Sequence, residues 1–395
     1  MKHRTFFVCL SAAFLILSVF LASCAGSGST SGDVQPVRMD DAAAPPETVD
    51  HGALNVSFPV GNIRVAVSIL ALKLGYFDEE GVTVSEVNLS GQNALTVINE
   101  GSAELDLLTA GFVPDLQAIA SGYDLTFIAG TAVEGGAVIA RKGEAANYRS
   151  TADILDLGAV KSAKLGFVRN EASWIVTRQY LLDHGTTDAE IAAIEDEGSG
   201  SITYYGEATE TALAVQKGEI DLGFLPMEYA LLYADAYGFE IVTPAGALQP
   251  DYVCCREITS PAKLAEKREA FVAYETARLR AFAYYKQGEE DEAVRRNVVK
   301  IVSDYSGKES DYVDTYLYGG VTKYSNDPNA KGIASYVKAA WNSGALSGAA
   351  VDFGSYDIAE NIDTSVYKEA LDALLERDPD NALFRELENL YEASN

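Results

Sequence analysis

Histidine is nearly missing from this chain: among 395 residues only His3, His51 and His184 carry an imidazole, and they lie far apart in sequence. Zinc sites and histidine-based acid/base machinery are therefore poorly supplied, and neither a metal nor an organic cofactor is expected. Positive charge is scarce too. Lys and Arg number 30 against 58 Asp and Glu, a formal net charge of −28. Nucleic-acid recognition depends on neutralising phosphates with Lys and Arg, so that class of partner is excluded. The acidic surplus reads as a solubility device and not as a site for cationic cargo. Cysteine is limited to Cys9, Cys24, Cys254 and Cys255, too few for a disulfide-stapled scaffold. Against these shortages, hydrophobic residues at 48% and charged residues at 22% are ordinary globular usage, with length enough for two or three domains.

The chain opens on an address. Lys2, His3 and Arg4 form a short basic head, and Phe6 to Phe20 is an apolar run of about 15 residues, shorter than the roughly 20 that span a bilayer. That pattern reads as a secretory signal over residues 1–23. It closes on Leu21-Ala22-Ser23-Cys24, which resembles the bacterial lipobox; the resemblance implies that Cys24 is lipidated and becomes the first mature residue, tied to a membrane. Residues 24–52 are rich in Gly, Ser, Ala, Asp and Pro without apolar periodicity and read as a flexible tether. No later stretch has the length and apolarity of a membrane span, so the expectation is a monomeric folded body, beginning near Ala53, held outside the cytoplasm. In Tyr252-Val253-Cys254-Cys255 a strand-like alternation would turn the two thiols to opposite faces, and no chemistry is assigned to them.

One helix-strand-helix-strand unit occurs twice, about 115 residues apart, too long a spacing for a solenoid. The first copy runs from Asn93 to Gly101, Glu104 to Leu108, Pro114 to Gly122 and Leu125 to Ala129. The second runs from Thr211 to Gly218, Ile220 to Leu225, Pro226 to Gly238 and Phe239 to Val242. Each has a helix ending on a glycine suited to the left-handed C′ position and a strand with an aspartate near its start, Asp106 or Asp221. Further strands (Leu54–Phe58, Val82–Val87, Ala163–Val168) and helices (Ile63–Leu74, Thr151–Leu157, Ser173–Asp183) precede the copies. Such alternation predicts α/β architecture: two doubly wound, mainly parallel lobes side by side. From Ser260 onward the pattern turns to helix, predicted at Ala262–Gln287, Glu290–Ser303, Ser310–Leu317, Ala330–Ser343 and Val366–Leu375.

Ala71-Leu-Lys-Leu-Gly-Tyr-Phe-Asp-Glu-Glu-Gly-Val-Thr-Val84 resembles the A-x-x-x-G-Y-F-x-x-E-G-x-x-V signature of type II solute-binding proteins. The similar branch is that of nitrate, alkanesulfonate, taurine and pyrimidine thiamine precursors, known as NMT1/THI5-like, which feed ABC importers. Ser90-Gly91, Gly101 through Asp106, Ala118-Ile-Ala-Ser-Gly122, Gly218-Glu-Ile-Asp221 and Asp327-Pro328-Asn329 match further pieces in order, over most of Leu54 to Leu375. The resemblance implies a type II periplasmic binding fold with extra C-terminal helices, hinged by two chain crossings. These are expected near Arg141–Glu144 and Gln249–Arg256, giving lobe I over 53–142, lobe II over 143–250 and a lobe I return with C-terminal helices over 251–395. It implies a non-catalytic receptor that delivers a small polar solute to an ABC permease.

Loops following strands should line the cleft between the lobes. The candidate ligand-binding residues are Asn62, Ser90, Gln92, Thr109, Ala110, Phe112, Thr131, Asn170, Ser173, Trp174, Met227, Glu228 and Tyr229. Hydroxyls, amides and helix-start N–H groups suit a small polar solute, and Phe112, Trp174 and Tyr229 could wall it or stack on a ring. Charge discriminates: a cleft-facing Glu228 favours an aminopyrimidine or other nitrogenous solute, a cleft-facing Arg169 a sulfonate. Two other readings stay open. One is an enzyme resembling thiamine pyrimidine synthases, which needs reactive His and Cys in the cleft; the other is the ligand-sensing subunit of a signalling receptor.

Overall fold

Two sheets with the same strand order carry the fold. The computed structural model describes residues 43–45, 47–151, 154–168, 171–344, 346 and 351–395. The expected signal, Cys24, most of the expected tether, Arg169 and Asn170 lie outside the described residues. In chain order the strands are β1 (Gly52–Ser57), β2 (Val82–Val87), β3 (Leu108–Gly111), β4 (Thr126–Gly130), β5 (Ala132–Val133), β6 (Gly136–Arg141), β7 (Leu165–Val168), β8 (Ile202–Tyr205), β9 (Leu222–Pro226), β10 (Phe239–Pro244), β11 (Cys255–Thr259) and β12 (Lys323–Tyr324). In the first lobe β1 and β2 run parallel, β11 runs antiparallel between β3 and β4, and a parallel bridge from Val56 to Leu107 joins the two groups. The order is thus β2-β1-β3-β11-β4, and the second lobe reads β8-β7-β9-β6-β10. In both, the fourth strand alone opposes its neighbours.

That reversed strand is the one the chain lays down as soon as it changes lobes: β6 on entering the second, β11 on returning. The first crossing therefore falls between Val133 and Gly136, not at Arg141–Glu144, and the second lobe starts before residue 143. The reason is packing: Ala137, Val138, Ile139 and Ala140 are completely buried between β9 and β10. Such an unbroken apolar run has no polar alternation to reveal which sheet it joins. The return passes between Pro244 and Cys255. The two crossings touch through an antiparallel bridge from Val133 to Val253, and Asp251 N donates to Glu134 Oε1 at 2.7 Å.

The repeated aspartate has one job in both lobes. Asp106 N donates to Asn55 O at 2.7 Å while Asn55 N donates to Asp106 Oδ2 at 2.8 Å. Asp221 N donates to Lys164 O and Lys164 N to Asp221 Oδ2, both at 2.8 Å. Each carboxylate ties the start of one parallel strand to its neighbour, satisfying backbone groups the ladder does not reach. Asp106 is completely buried and also holds Lys263 at 3.2 Å and Lys267 at 2.8 Å.

Where a helix over Thr151–Leu157 was predicted, Leu155 instead bridges to Arg149 and the helix begins at Leu157, capped by Asp156, whose carboxylate accepts from Ala159 N. The long helix predicted from Ala262 breaks at Lys267 into Pro261–Glu266 and Arg268–Gln287. A final helix, Ala382–Ser394, was not anticipated. No helix among the described residues is long and apolar enough to cross a membrane. Arg268–Gln287 carries Glu275 and Arg278 into the core. Arg278 Nη1 lies 3.0 Å from Glu257 Oε2 on β11 and 2.5 Å from Glu275 Oε2, while Nη2 donates to Gly130 O at 2.9 Å.

Asp106→Asn should lower unfolding stability by about 3 kcal/mol, because it leaves a buried lysine without its counter-charge. Asp221→Asn keeps an acceptor and has no lysine partner, so its cost should stay below about 1 kcal/mol. Urea midpoints of the two variants check this.

Candidate functional site

The facing edges of the lobes enclose a cavity of about 530 Å³. The first lobe contributes Pro59 to Arg64 after β1, Ser90 and Gly91 after β2, and Thr109 to Pro114 at the end of β3. From the second come Glu171, Ala172, Pro226, Glu228, Tyr229 and Leu232. Cys254 and Cys255 enter from the return crossing, Lys308, Tyr312 and Tyr316 from the C-terminal helical region.

Four helices start on this cavity, two from each lobe: Gly91–Asn99, Phe112–Ala120, Ser173–Asp183 and Met227–Tyr237. Their N-cap residues, Ser90, Gly111, Ala172 and Pro226, all line it, and none makes a side-chain cap hydrogen bond. Three of the four have no side-chain acceptor with which to cap. First-turn N–H groups lack intrahelical partners, and the helix dipole adds partial positive charge there. Some of these donors are already engaged: Phe112 N with Cys254 O at 2.9 Å, Met227 N with Gly135 O at 2.8 Å, and Ser173 N with Glu171 Oε2 at 2.6 Å. The arrangement as a whole suits oxygen acceptors on a solute.

Charge inside the cavity is paired across the lobes. Arg64 Nε lies 3.2 Å from Glu228 Oε2, with the side chains 35% and 14% exposed. Glu228 holds the Arg64 guanidinium firmly charged, outweighing the opposite effect of burial. Tyr312 OH donates to Glu228 O at 3.1 Å, a second tie onto the same turn. Burial pushes the Glu171 carboxyl up, and burial followed by the Glu228 charge does the same to the Tyr229 phenol.

The thiols do not part as strand alternation suggested. Cys254 precedes β11 and is not in the ladder, so alternation has not begun; both residues line the cavity with their sulfurs 3.7 Å apart. The hydrogen bond from Cys254, helped by the Arg64 charge, brings the Cys255 thiol down to about 7, while that same bond and burial raise Cys254.

Of the candidates read from sequence, Asn62, Ser90, Thr109, Ala110, Phe112, Glu228 and Tyr229 line the cavity. The Phe112 ring itself turns inward, 1% exposed, onto Phe127 and Tyr336. Five others do not line it. Gln92 is exposed and its amide donates to Tyr123 OH at 3.4 Å. Thr131 is buried and its hydroxyl donates to Arg64 O at 3.0 Å, so it positions Arg64 from behind. Ser173 Oγ donates to Leu225 O at 3.2 Å; Trp174 packs on Phe167 and Phe224; Met227 is wholly buried in the core. These last three lie in the first turns of helices packed against the sheet, which turns their side chains into the core. Asn170 and Arg169 lie outside the described residues.

Arg64, Cys254, Cys255, Lys308, Tyr312 and Tyr316 line the cavity without having been anticipated, while Glu171 lines it from the loop expected there between Asn170 and Trp174. Two signals pointed to some of them. Arg64 lies two residues beyond Asn62 in the loop already singled out, and Tyr312 and Tyr316 share a helix face at i, i+4.

No family model and no curated protein sequence matches the chain. Solved structures do match in fold. The periplasmic nitrate-binding protein of Synechocystis PCC 6803 is 13% identical with a TM-score of 0.60, over 83% of this chain and 91% of that one. The ligand-binding component of an ABC-type import system from Staphylococcus aureus, solved with zinc bound, is 13% identical with a TM-score of 0.58, over 81% and 99%. The periplasmic aliphatic sulphonate-binding protein of Escherichia coli is 14% identical with a TM-score of 0.56, over 79% and 92%. The chain thus has the two-lobed type II periplasmic binding fold, with further helices at its C-terminal end.

Alkylation of the Cys254–Cys255 peptide by iodoacetamide, followed by mass spectrometry, should rise with pH around a midpoint of about 7, since only the thiolate reacts. In Cys254→Ala, which removes the donor, the midpoint should move toward the ordinary thiol value of about 8.5.

Proposed function

We propose that the protein is the extracytoplasmic solute-binding component of an ABC importer, a non-catalytic receptor that takes a small polar organic solute between its lobes and delivers it to a membrane permease. The observation that carries this is the convergence of four helix starts, two from each lobe, on one cavity of about 530 Å³. That volume falls in the usual range for small-molecule sites. The fold shared with nitrate- and sulfonate-binding proteins supports the same reading. In the proposed arrangement a lipid on Cys24 and the segment after it hold a monomeric body at the membrane, and the ligand contacts come from Asn62, Ser90, Thr109, Ala110, Glu228 and Tyr229 together with Arg64 and Glu171.

Charge narrows the solute within the sulfonate, nitrate, taurine and pyrimidine thiamine-precursor range. A bare anion gains most from a cation with no other partner, and Arg64 is matched by Glu228. Among the described lining residues, Glu171 and Glu228 balance Arg64 and Lys308. A molecule offering oxygens to the helix starts and N–H groups to Glu171 and Glu228, such as taurine or an aminopyrimidine, meets both features. The enzyme alternative finds only part of its machinery in the cavity wall: Cys254 and Cys255 line it, but neither His51 nor His184 does.

A thermal-shift panel of nitrate, alkanesulfonates, taurine and aminopyrimidines tests the proposal. Taurine or an aminopyrimidine at a hundredfold excess over its Kd should stabilise the protein by about 2.7 kcal/mol. Glu228→Gln should remove most of that gain. A panel with no shift overturns the function, and a shift confined to nitrate or alkanesulfonate overturns the solute class.

A further inference from the structure

The vicinal thiols are chemistry in the cavity that solute capture does not use. Cys254 and Cys255 both line it, and their sulfurs lie 3.7 Å apart. Opposite them Gly135 makes room: a Cβ there would come within 2.8 Å of Cys254 Sγ. Three fates are open to such a pair, and geometry separates them.

A direct disulfide is disfavoured, because adjacent trans residues hold their Cα atoms about 3.8 Å apart, below the roughly 4.4–6.8 Å that disulfides adopt. A four-coordinate metal would lack ligands, since no group of three or more His, Cys, Asp or Glu among the described residues is placed to hold an ion. A one-atom bridge fits. Two sulfur bonds of about 2.3 Å to a common atom span the 3.7 Å separation at an angle of about 107°. That is the angle of a pyramidal centre, not of a linear one, and a pyramidal centre brings its own third substituent.

We propose that Cys254 and Cys255 form a second, covalent binding site in the cavity, for a trivalent arsenic or antimony compound held by both sulfurs with its third substituent in the cleft. For an arsenic oxide R–As=O the step is a condensation. Two As–S bonds form, the As=O bond breaks, and the two thiol protons leave with its oxygen as one water. Arsenic stays trivalent and no electrons are exchanged. The site stands on the thiol geometry alone, so its failure would leave the solute-binding reading intact, and the reverse holds too.

Phenylarsine oxide is the probe, applied to the full chain after reduction with a phosphine. Peptide mapping should place one phenylarsenic group on the peptide containing Cys254 and Cys255. Under a 2-mercaptoethanol wash it should persist on the order of 100-fold longer than on Cys254→Ser or Cys255→Ser, because the second sulfur acts intramolecularly. Release should follow with 2,3-dimercaptopropanol. X-ray absorption on the wild-type adduct should count two sulfurs per arsenic, and the adduct should raise the melting temperature. A wash-labile adduct, equal retention on either serine variant, one sulfur per arsenic, or a lowered melting temperature would each overturn the proposal. The last two readouts need no variant to fold.

Discussion

The Arg64–Glu228 pair spans the cavity, and the character of the site depends on it. Arg64 comes from the loop after β1 in the first lobe, Glu228 from the opening turn of the helix after β9 in the second. Both partners are braced from behind. Tyr324 OH donates to Ile63 O at 2.6 Å, Thr131 holds the Arg64 carbonyl, and Tyr312 holds that of Glu228. An ion pair this exposed on one side adds little to stability, on the order of 1 kcal/mol. Its larger consequence is electrostatic: it neutralises Arg64 as a draw for a simple anion, and leaves the helix starts and Lys308 as the cavity's attraction for oxygen.

Rigidity behind the wall comes from buried charge. Thr109 lines the cavity and donates to Glu257 Oε1 at 3.3 Å; Glu257 also accepts from Tyr274 and pairs with Arg278, which reaches Gly130 O at the end of β4. Burial pushes Glu275 up to about 7 against the pull of Arg278, and Asn326 donates to it at 3.0 Å. Such a network is costly to desolvate and is held by mutual satisfaction of its members. It fixes β3, β4 and β11 as one unit, so the helix that starts at Phe112 is presented to the cavity from a stiff base. Asp106 and Asp221 do the corresponding work at the opposite ends of the central strands, each through the same pair of reciprocal backbone contacts.

Much of this was legible in the sequence because it is local. The glycine-ended helices, the Asp106 and Asp221 repeat and the strand-end loops carrying Asn62, Ser90, Thr109, Glu228 and Tyr229 all follow from short-range periodicity. What stayed hidden depends on tertiary packing. Ala137 to Ala140 is apolar on both faces, so nothing local says which sheet it enters. Ser173, Trp174 and Met227 begin helices at the cavity, yet the rotation of each helix against its sheet turns these side chains into the core. Tyr312 and Tyr316 sit on one face of a helix whose sequence does not say what that face meets. The convergence of the two thiols depends on Cys254 lying just outside the ladder, a boundary too fine for pattern reading.

The central claim is that amides at helix starts from both lobes meet one solute. Hydrogen–deuterium exchange, with and without the solute that stabilises the protein most, tests it most directly. The account predicts simultaneous slowing at the amides of residues 91–93, 113, 174–175 and 228–229. Slowing confined to one lobe, or found only in the C-terminal helices, would contradict it.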